Sequence, residues 1–260
     1  MRVTIGKLFA GVLAGLVWTT SASAGLVEYS AGHSDIGVEY VDHGDHGHLH
    51  LHYHFGGDAV LDGATTGGGE YGLDEAYIRV SDSLMVSGAP LNSVGLGAGS
   101  GDAWVLPQNN VAGVPFVGLA TEEVPANFGN VKFSLEGVTG PGEFSLWQSN
   151  GLGGFDIFMS SFLNGIDAGD QVTLPSLAHS HFNFGFSAAG MYYVDIRAES
   201  VNDPSLYDVG TLIFAVGDST FPPVTNPVPE PGSLVLMGIG TLGFCGSRLK
   251  RRNKQADAAA

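Results

Sequence analysis

The sequence predicts an all-β protein whose body is a β-sandwich of jelly-roll-like or immunoglobulin-like topology, and three observations carry that expectation. Short segments alternate apolar and polar residues, as in Val131-Lys132-Phe133-Ser134-Leu135-Glu136. A strand turns successive side chains to opposite faces, so this alternation marks a half-buried strand. The 260 residues include 40 Gly and 12 Pro, which supply the frequent turns of a fold made from many short strands. Between the two ends, no segment sustains the 3.6-residue apolar period of an amphipathic helix.

Taken in order, the strand candidates are 36–41, 48–55, 76–80, 103–106, 131–135, 144–146, 155–159, 179–187, 191–198 and 210–216, each bounded by Gly, Asn, Asp or Pro. The turn Thr139-Gly140-Pro141-Gly142 between two alternating runs predicts a hairpin. The Gly-rich stretches 63–72 and 95–101 read as loops; neither follows a strand and opens a helix, as a phosphate-binding loop must. Trp104 and Trp147 lie inside apolar strand patterns and are expected in the core.

Charge removes one class of function. Between residues 25 and 227 only Arg79, Lys132 and Arg197 stand against 24 acidic residues, a formal charge of −21. Such a surface repels phosphate backbones, so no nucleic-acid partner is expected, and it attracts cations. The sole cysteine, Cys245, lies in a C-terminal apolar run, which leaves the body without thiol chemistry, disulfides or cysteine zinc ligands.

The ends read as addresses. Arg2 and Lys7 precede an apolar run over 8–18, and Ala22-Ser23-Ala24 precedes Gly25, so 1–24 is expected to be a secretory signal peptide cut between Ala24 and Gly25 by signal peptidase. The run is too short for a membrane-spanning helix, which needs about 20 residues. At the other end, a Pro-rich linker over 218–231 leads to Pro229-Glu230-Pro231, an apolar membrane segment over 232–247 and a basic tail over 248–260. This order resembles the PEP-CTERM sorting signal of bacterial surface and exopolysaccharide-associated proteins. The resemblance implies an apolar sorting helix, recognition by an exosortase, removal of the tail, and delivery to the cell envelope or beyond. The basic cluster would stay on the cytoplasmic side during sorting. A plain C-terminal anchor is the simpler alternative, but it gives the Pro-Glu-Pro triplet no role.

All nine histidines lie in the body, at His33, in the run from His43 to His54, and at His179 and His181. In His48-Leu49-His50-Leu51-His52-Tyr53-His54-Phe55 a strand would present four imidazoles on one face and four apolar side chains on the other. His179-Ser180-His181-Phe182-Asn183-Phe184-Gly185-Phe186 repeats the pattern, with His179, His181 and Asn183 opposite the three phenylalanines. Side chains two apart on a strand project in parallel, so two His-x-His strands can gather four imidazoles around one tetrahedral Zn²⁺. His52, His54, His179 and His181 are therefore the expected ligands. His43-Gly44-Asp45-His46-Gly47 reads as a solvated loop.

These segments, with Gly32-His33-Ser34-Asp35-Ile36-Gly37-Val38-Glu39-Tyr40, Ala103-Trp104-Val105-Leu106-Pro107-Gln108 and Gly140-Pro141-Gly142-Glu143-Phe144-Ser145-Leu146-Trp147-Gln148, resemble the choice-of-anchor M domain over roughly 30–217. Members with a PEP-CTERM tail include a group repressed by the zinc-uptake regulator, which implies zinc acquisition or storage under scarcity. The resemblance puts ligands at His33, His52, His54, His179 and His181. The extension of the tract back through His43, His46, His48 and His50 leaves open which pair on that strand binds, so His50 stays among the candidates.

The leading expectation is thus a zinc-binding envelope protein that captures or buffers metal, with an importer or exopolysaccharide as its envelope partner. A metallohydrolase is the second reading, with His33 or Asp35 leaving an open zinc position and Glu39 as base. No HExxH, G-x-S-x-G or other diagnostic catalytic spacing is present, so a binding module rather than an enzyme is expected. The third is a matrix protein that contacts polysaccharide through Trp104 and Trp147.

Overall fold

A computed structural model describes residues 25–220 except Asp45 and Thr66. The signal peptide with Ala24, most of the Pro-rich linker with Pro229, Glu230 and Pro231, the apolar segment and the basic tail lie outside the described residues. Among the described residues no helix is long and apolar enough to cross a membrane, and the helical turns are three short 3₁₀ segments.

The body is all-β, with two sheets. In chain order the strands are β1 (Val27–Asp42), β2 (Gly47–Phe55), β3 (Val60–Leu61), β4 (Ala64–Thr65), β5 (Gly69–Gly72), β6 (Ala76–Val80), β7 (Met85–Ala89), β8 (Gly101–Leu106), β9 (Pro115–Glu123), β10 (Asn130–Thr139), β11 (Phe144–Ser149), β12 (Phe155–Ser160), β13 (Gln171–Pro175), β14 (His179–His181), β15 (Asn183–Phe186), β16 (Gly190–Ser200) and β17 (Tyr207–Val216). The larger sheet runs β13-β10-β16-β17-β6-β1-β2-β5, with β9 on β1, β14 on β9, and β3 and β4 at its margin; the smaller runs β12-β11-β15-β8-β7.

The 16-residue β1 joins the two parts of the large sheet. Its first residues pair in parallel with β6, whereas Gly32 onward pair in parallel with β9 and antiparallel with β2. At the change of partner Gly32 has φ +87°, and a Cβ there would run into the Asp58 carbonyl; only glycine takes this conformation without cost.

Alternation sends the apolar side chains between the sheets. Phe214 of β17 packs against Phe144, Phe184 and Phe186 of the smaller sheet, with ring centroids 6.4, 6.0 and 4.9 Å away. Each such ring contributes roughly 1.5–3 kcal/mol by burial alone. Leu49, Leu51, Tyr53 and Phe55 of β2 are also buried, as their spacing predicts. Trp104 and Trp147 are buried, and the Trp104 indole N–H donates to Asp82 at 2.9 Å.

Two strand assignments change. The 139–142 turn does not close a hairpin: β10 pairs with β13 and β16 in the large sheet, while β11 pairs with β12 and β15 in the small one. The chain turns a corner there, and Gly140 makes room for the Tyr192 ring, which a Cβ would meet at 2.5 Å. Likewise 179–187 is not one strand. It crosses from β14 on β9 to β15 between β8 and β11, so Asn183 is buried instead of sharing a face with the histidines. Strand β9 has no counterpart among the expected strands. As a strand with a parallel neighbour and core on one face, it reads as an unbroken apolar run from Pro115 to Ala120 and lacks the alternation that identifies half-exposed strands. Within the expected Gly-rich loop, 69–72 pairs with β2 as β5.

Candidate metal centre

The strands β5, β2, β1, β9 and β14 lie side by side, and their register builds a polar face opposite the core. One row across all five reads Glu70, His54, Asp35, Gly118, His181. The next reads Gly72, His52, Gly37, Ala120, His179. Residues in register share a face and stand close together, so these rows bring together side chains from distant parts of the chain. Small residues separate the long ones. Gly37 lies beside His52, whose Nε2 would be 3.0 Å from a Cβ at that position. Gly118 lies between Asp35 and His181, and a Cβ on it would strike the Asp35 carboxylate.

Two groups of possible ligands result: His52, His54, Glu70 and Glu123, and His33, Asp35 and His181. In each, one ligand atom per residue lies within 4.8 Å of all the others. A tetrahedral zinc site with bonds of about 2.0–2.1 Å needs its ligand atoms about 3.4 Å apart, a spacing that modest side-chain rotations can reach.

The first group centres on Glu123 at the end of β9. Its Oε2 is 3.0 Å from His52 Nε2 and its Oε1 is 2.8 Å from His54 Nδ1. The His52 side chain is only 4% exposed, against 51% for His54. His52 Nδ1 faces the His50 carbonyl at 3.4 Å, a contact that only an N–H can make, so in the neutral ring Nε2 carries the lone pair. That nitrogen is buried and has no hydrogen-bond partner, despite its approach to Glu123. Two lone-pair acceptors 3.0 Å apart repel unless a positive centre, a proton or a metal ion, lies between them. A backbone carbonyl that orients the far nitrogen of the ring is the usual support of a metal-bound histidine. The donor set of two imidazoles and two carboxylates suits zinc and other borderline divalent ions.

In the second group His33 Nε2 is 3.4 Å from Asp35 Oδ2, and His181 Nε2 is 4.0 Å from Asp35 Oδ1. The His181 ring stacks on Phe116, centroids 3.6 Å apart and planes 10° from parallel. Burial holds its pKa below the ordinary imidazole value, against the backbone contact at Val117 and the charge of Asp35, which favours the neutral form that can ligate a metal.

The expected gathering of four imidazoles around one point is therefore not what the register builds. His52 and His54 join carboxylates of β5 and β9, and His181 joins His33 and Asp35. His179 belongs to neither group; its Nδ1 is 2.8 Å from Glu122 Oε1, and that hydrogen bond raises its pKa. His50 also belongs to neither, lying half-exposed 3.8 Å from Asp208 Oδ2. His43, His46 and His48 cluster at the tip of the β1–β2 hairpin, ring centroids 5.1 and 5.2 Å apart; His43, Gly44 and His46 lie in the expected loop, whereas Gly47 already belongs to β2. The sequence reading missed Glu70, Glu122 and Glu123. The one signal for the last two was a pair of acidic residues closing an otherwise apolar run.

The fold and face describe an all-β domain with a histidine and carboxylate surface suited to a divalent cation. Residues 227–252 match the PEP-CTERM protein-sorting motif. The chain thus carries a C-terminal sorting signal for exosortase processing, the signal of an exported, envelope-associated protein. No curated protein and no solved structure matches the chain.

Proposed function

We propose that this exosortase-sorted surface protein captures or buffers zinc outside the cytoplasm, through the histidine face of its β-sandwich. The observation that carries this reading is the buried, unpartnered Nε2 of His52, 3.0 Å from the Glu123 carboxylate with His54 and Glu70 beside it. The −21 charge of the body concentrates cations near that face. The resemblance to choice-of-anchor M proteins of zinc-starved cells points the same way, and an importer would be the acceptor of the metal. A matrix role through Trp104 and Trp147 fits less well, because both rings are buried and offer sugars no face. The protein acts as a binding module, without an assigned reaction. Zinc titration of the purified full-length chain by calorimetry tests the reading: tight binding lost in His52→Ala and Glu123→Gln supports it, and binding untouched by both refutes it.

A further inference from the structure

The second group of side chains, His33, Asp35 and His181, has no part in the site just proposed, and its central carboxylate is unusual. Asp35 lies in the middle of a five-strand section, with a side chain only 5% exposed. Its Oδ1 is buried without a hydrogen-bond partner, and so is Nδ1 of the neighbouring His181. A buried carboxylate needs a donor or a counter-charge. No Lys or Arg supplies one. Among the described residues the only ones are Arg79, which pairs with Glu28 and Asp218, and Lys132 and Arg197, which pair with Glu199. The groups facing Asp35 are imidazoles instead: His33 two residues along its own strand, His181 across Gly118, and His54 across the β1–β2 ladder. The glycine at 118 is what allows the approach, since any side chain there would occupy the space between Asp35 and His181.

We propose that His33, Asp35 and His181 form a second divalent-cation site, so that the face holds two ions on either side of the Asp35–His54 register pair. This rests on the reading of the face as a zinc-binding surface and divides it into two centres of different kind. The first offers four protein donors, enough to close a tetrahedral zinc site. The second offers two imidazoles and one carboxylate. Three protein donors leave at least one coordination position to water or an incoming ligand, the feature that separates open zinc sites from closed structural ones. His33, with its side chain 34% exposed, is the solvent-facing ligand of the second site. An ion there can exchange more readily than one locked by His52, which suits a site where metal enters or is handed on. His179 stays outside, held by Glu122.

Native mass spectrometry of the full-length chain in detergent, titrated with zinc, tests the division. The wild type is expected to retain two ions. Asp35→Asn and His33→Ala should each retain one, Glu123→Gln should retain one, and Asp35→Asn with Glu123→Gln none, while His179→Ala keeps both. Circular dichroism without metal checks that the variants fold; His33→Ala changes a partly exposed side chain and decides the matter should Asp35→Asn disturb the sheet. One ion in the wild type, lost in Glu123→Gln but kept in His33→Ala, overturns the second site and leaves the proposed function standing. One ion lost equally in both overturns the division in favour of a single shared centre. No retained ion in any chain overturns both readings. The open position has its own readout. Cobalt bound to Glu123→Gln should change its visible absorption when azide is added, and cobalt bound to Asp35→Asn should not; the opposite pattern refutes the assignment of the open site.

Discussion

Replacing Gly37 by alanine tests the geometry of the His52 site without removing any ligand. Gly37 lies outside the left-handed region, so alanine there costs no backbone strain. Restricting the unfolded chain should by itself stabilise the metal-free protein by about 0.4–1 kcal/mol. The new Cβ, however, would stand 3.0 Å from His52 Nε2 and 3.2 Å from Cε1. The ring is buried and has its other nitrogen against the His50 carbonyl, so it must shift by a few tenths of an ångström away from Glu123. Losing the contacts that orient a metal ligand typically weakens binding about 10–100-fold, and a ring pushed off its position is expected to cost a similar factor. With free zinc at 100 times the dissociation constant, an intact site adds about 2.7 kcal/mol of stability; a site weakened tenfold adds about 1.4, and one weakened 100-fold about 0.4 kcal/mol. At about 2–4 °C per kcal/mol for a body of this size, the zinc-dependent rise in Tm from this site should fall from about 5–11 °C to about 1–6 °C. The metal-free Tm, which sums that entropic gain and the cost of moving the buried ring, is the reference against which the zinc-dependent rise is read. Differential scanning calorimetry with chelator and with buffered zinc measures both quantities. An unchanged zinc-dependent rise in Gly37→Ala would show that His52 Nε2 does not hold the ion, and the argument from its orphaned lone pair would fail.

Other consequences can be checked alongside. Burial lowers the His181 pKa, so the unfolded chain takes up a proton there before the folded one does. Its contribution to stability is complete above the unfolded value of about 6.5 and declines as pH falls below it. Zinc affinity should likewise fall steeply between pH 7 and about pH 5, as the imidazoles protonate; titrations at both values check this, and equal affinities refute histidine ligation. His179 is shifted the other way by its hydrogen bond to Glu122, so its stabilising contribution is present below about pH 6.5 and is lost as pH rises through the raised folded value. Glu122→Gln should return the His179 proton NMR titration toward the ordinary range and leave zinc stoichiometry unchanged; loss of an ion in that variant would bring Glu122 and His179 into the site. Where an exosortase is present, mass spectrometry of envelope material should find no peptides from 249–260 in the mature protein, and their recovery would contradict tail removal.

The local pattern of the sequence determines the alternating strands and the faces they bury. The strict alternation of 48–55 puts Leu49, Leu51, Tyr53 and Phe55 in the core and leaves the histidines on the other side, as the structure has them. The acidic body and the sorting tail are also written locally, because charge and the order of short motifs need no fold to be read. Which histidines meet, and what completes their coordination, depends on register between strands far apart in the chain. Alternation says which way a side chain points but not which residue stands beside it. The partners were therefore set by pairings such as His54 with Glu70 and Asp35 with Gly118, and by an apolar strand, β9, that delivers Glu123 from 69 positions beyond His54. The glycines at 37 and 118 were visible from the start as residues, but their role as gaps between ligands exists only once three strands lie side by side. Tertiary structure decided the site because coordination requires several side chains within a few ångströms of one point, and that condition binds positions that no local period connects.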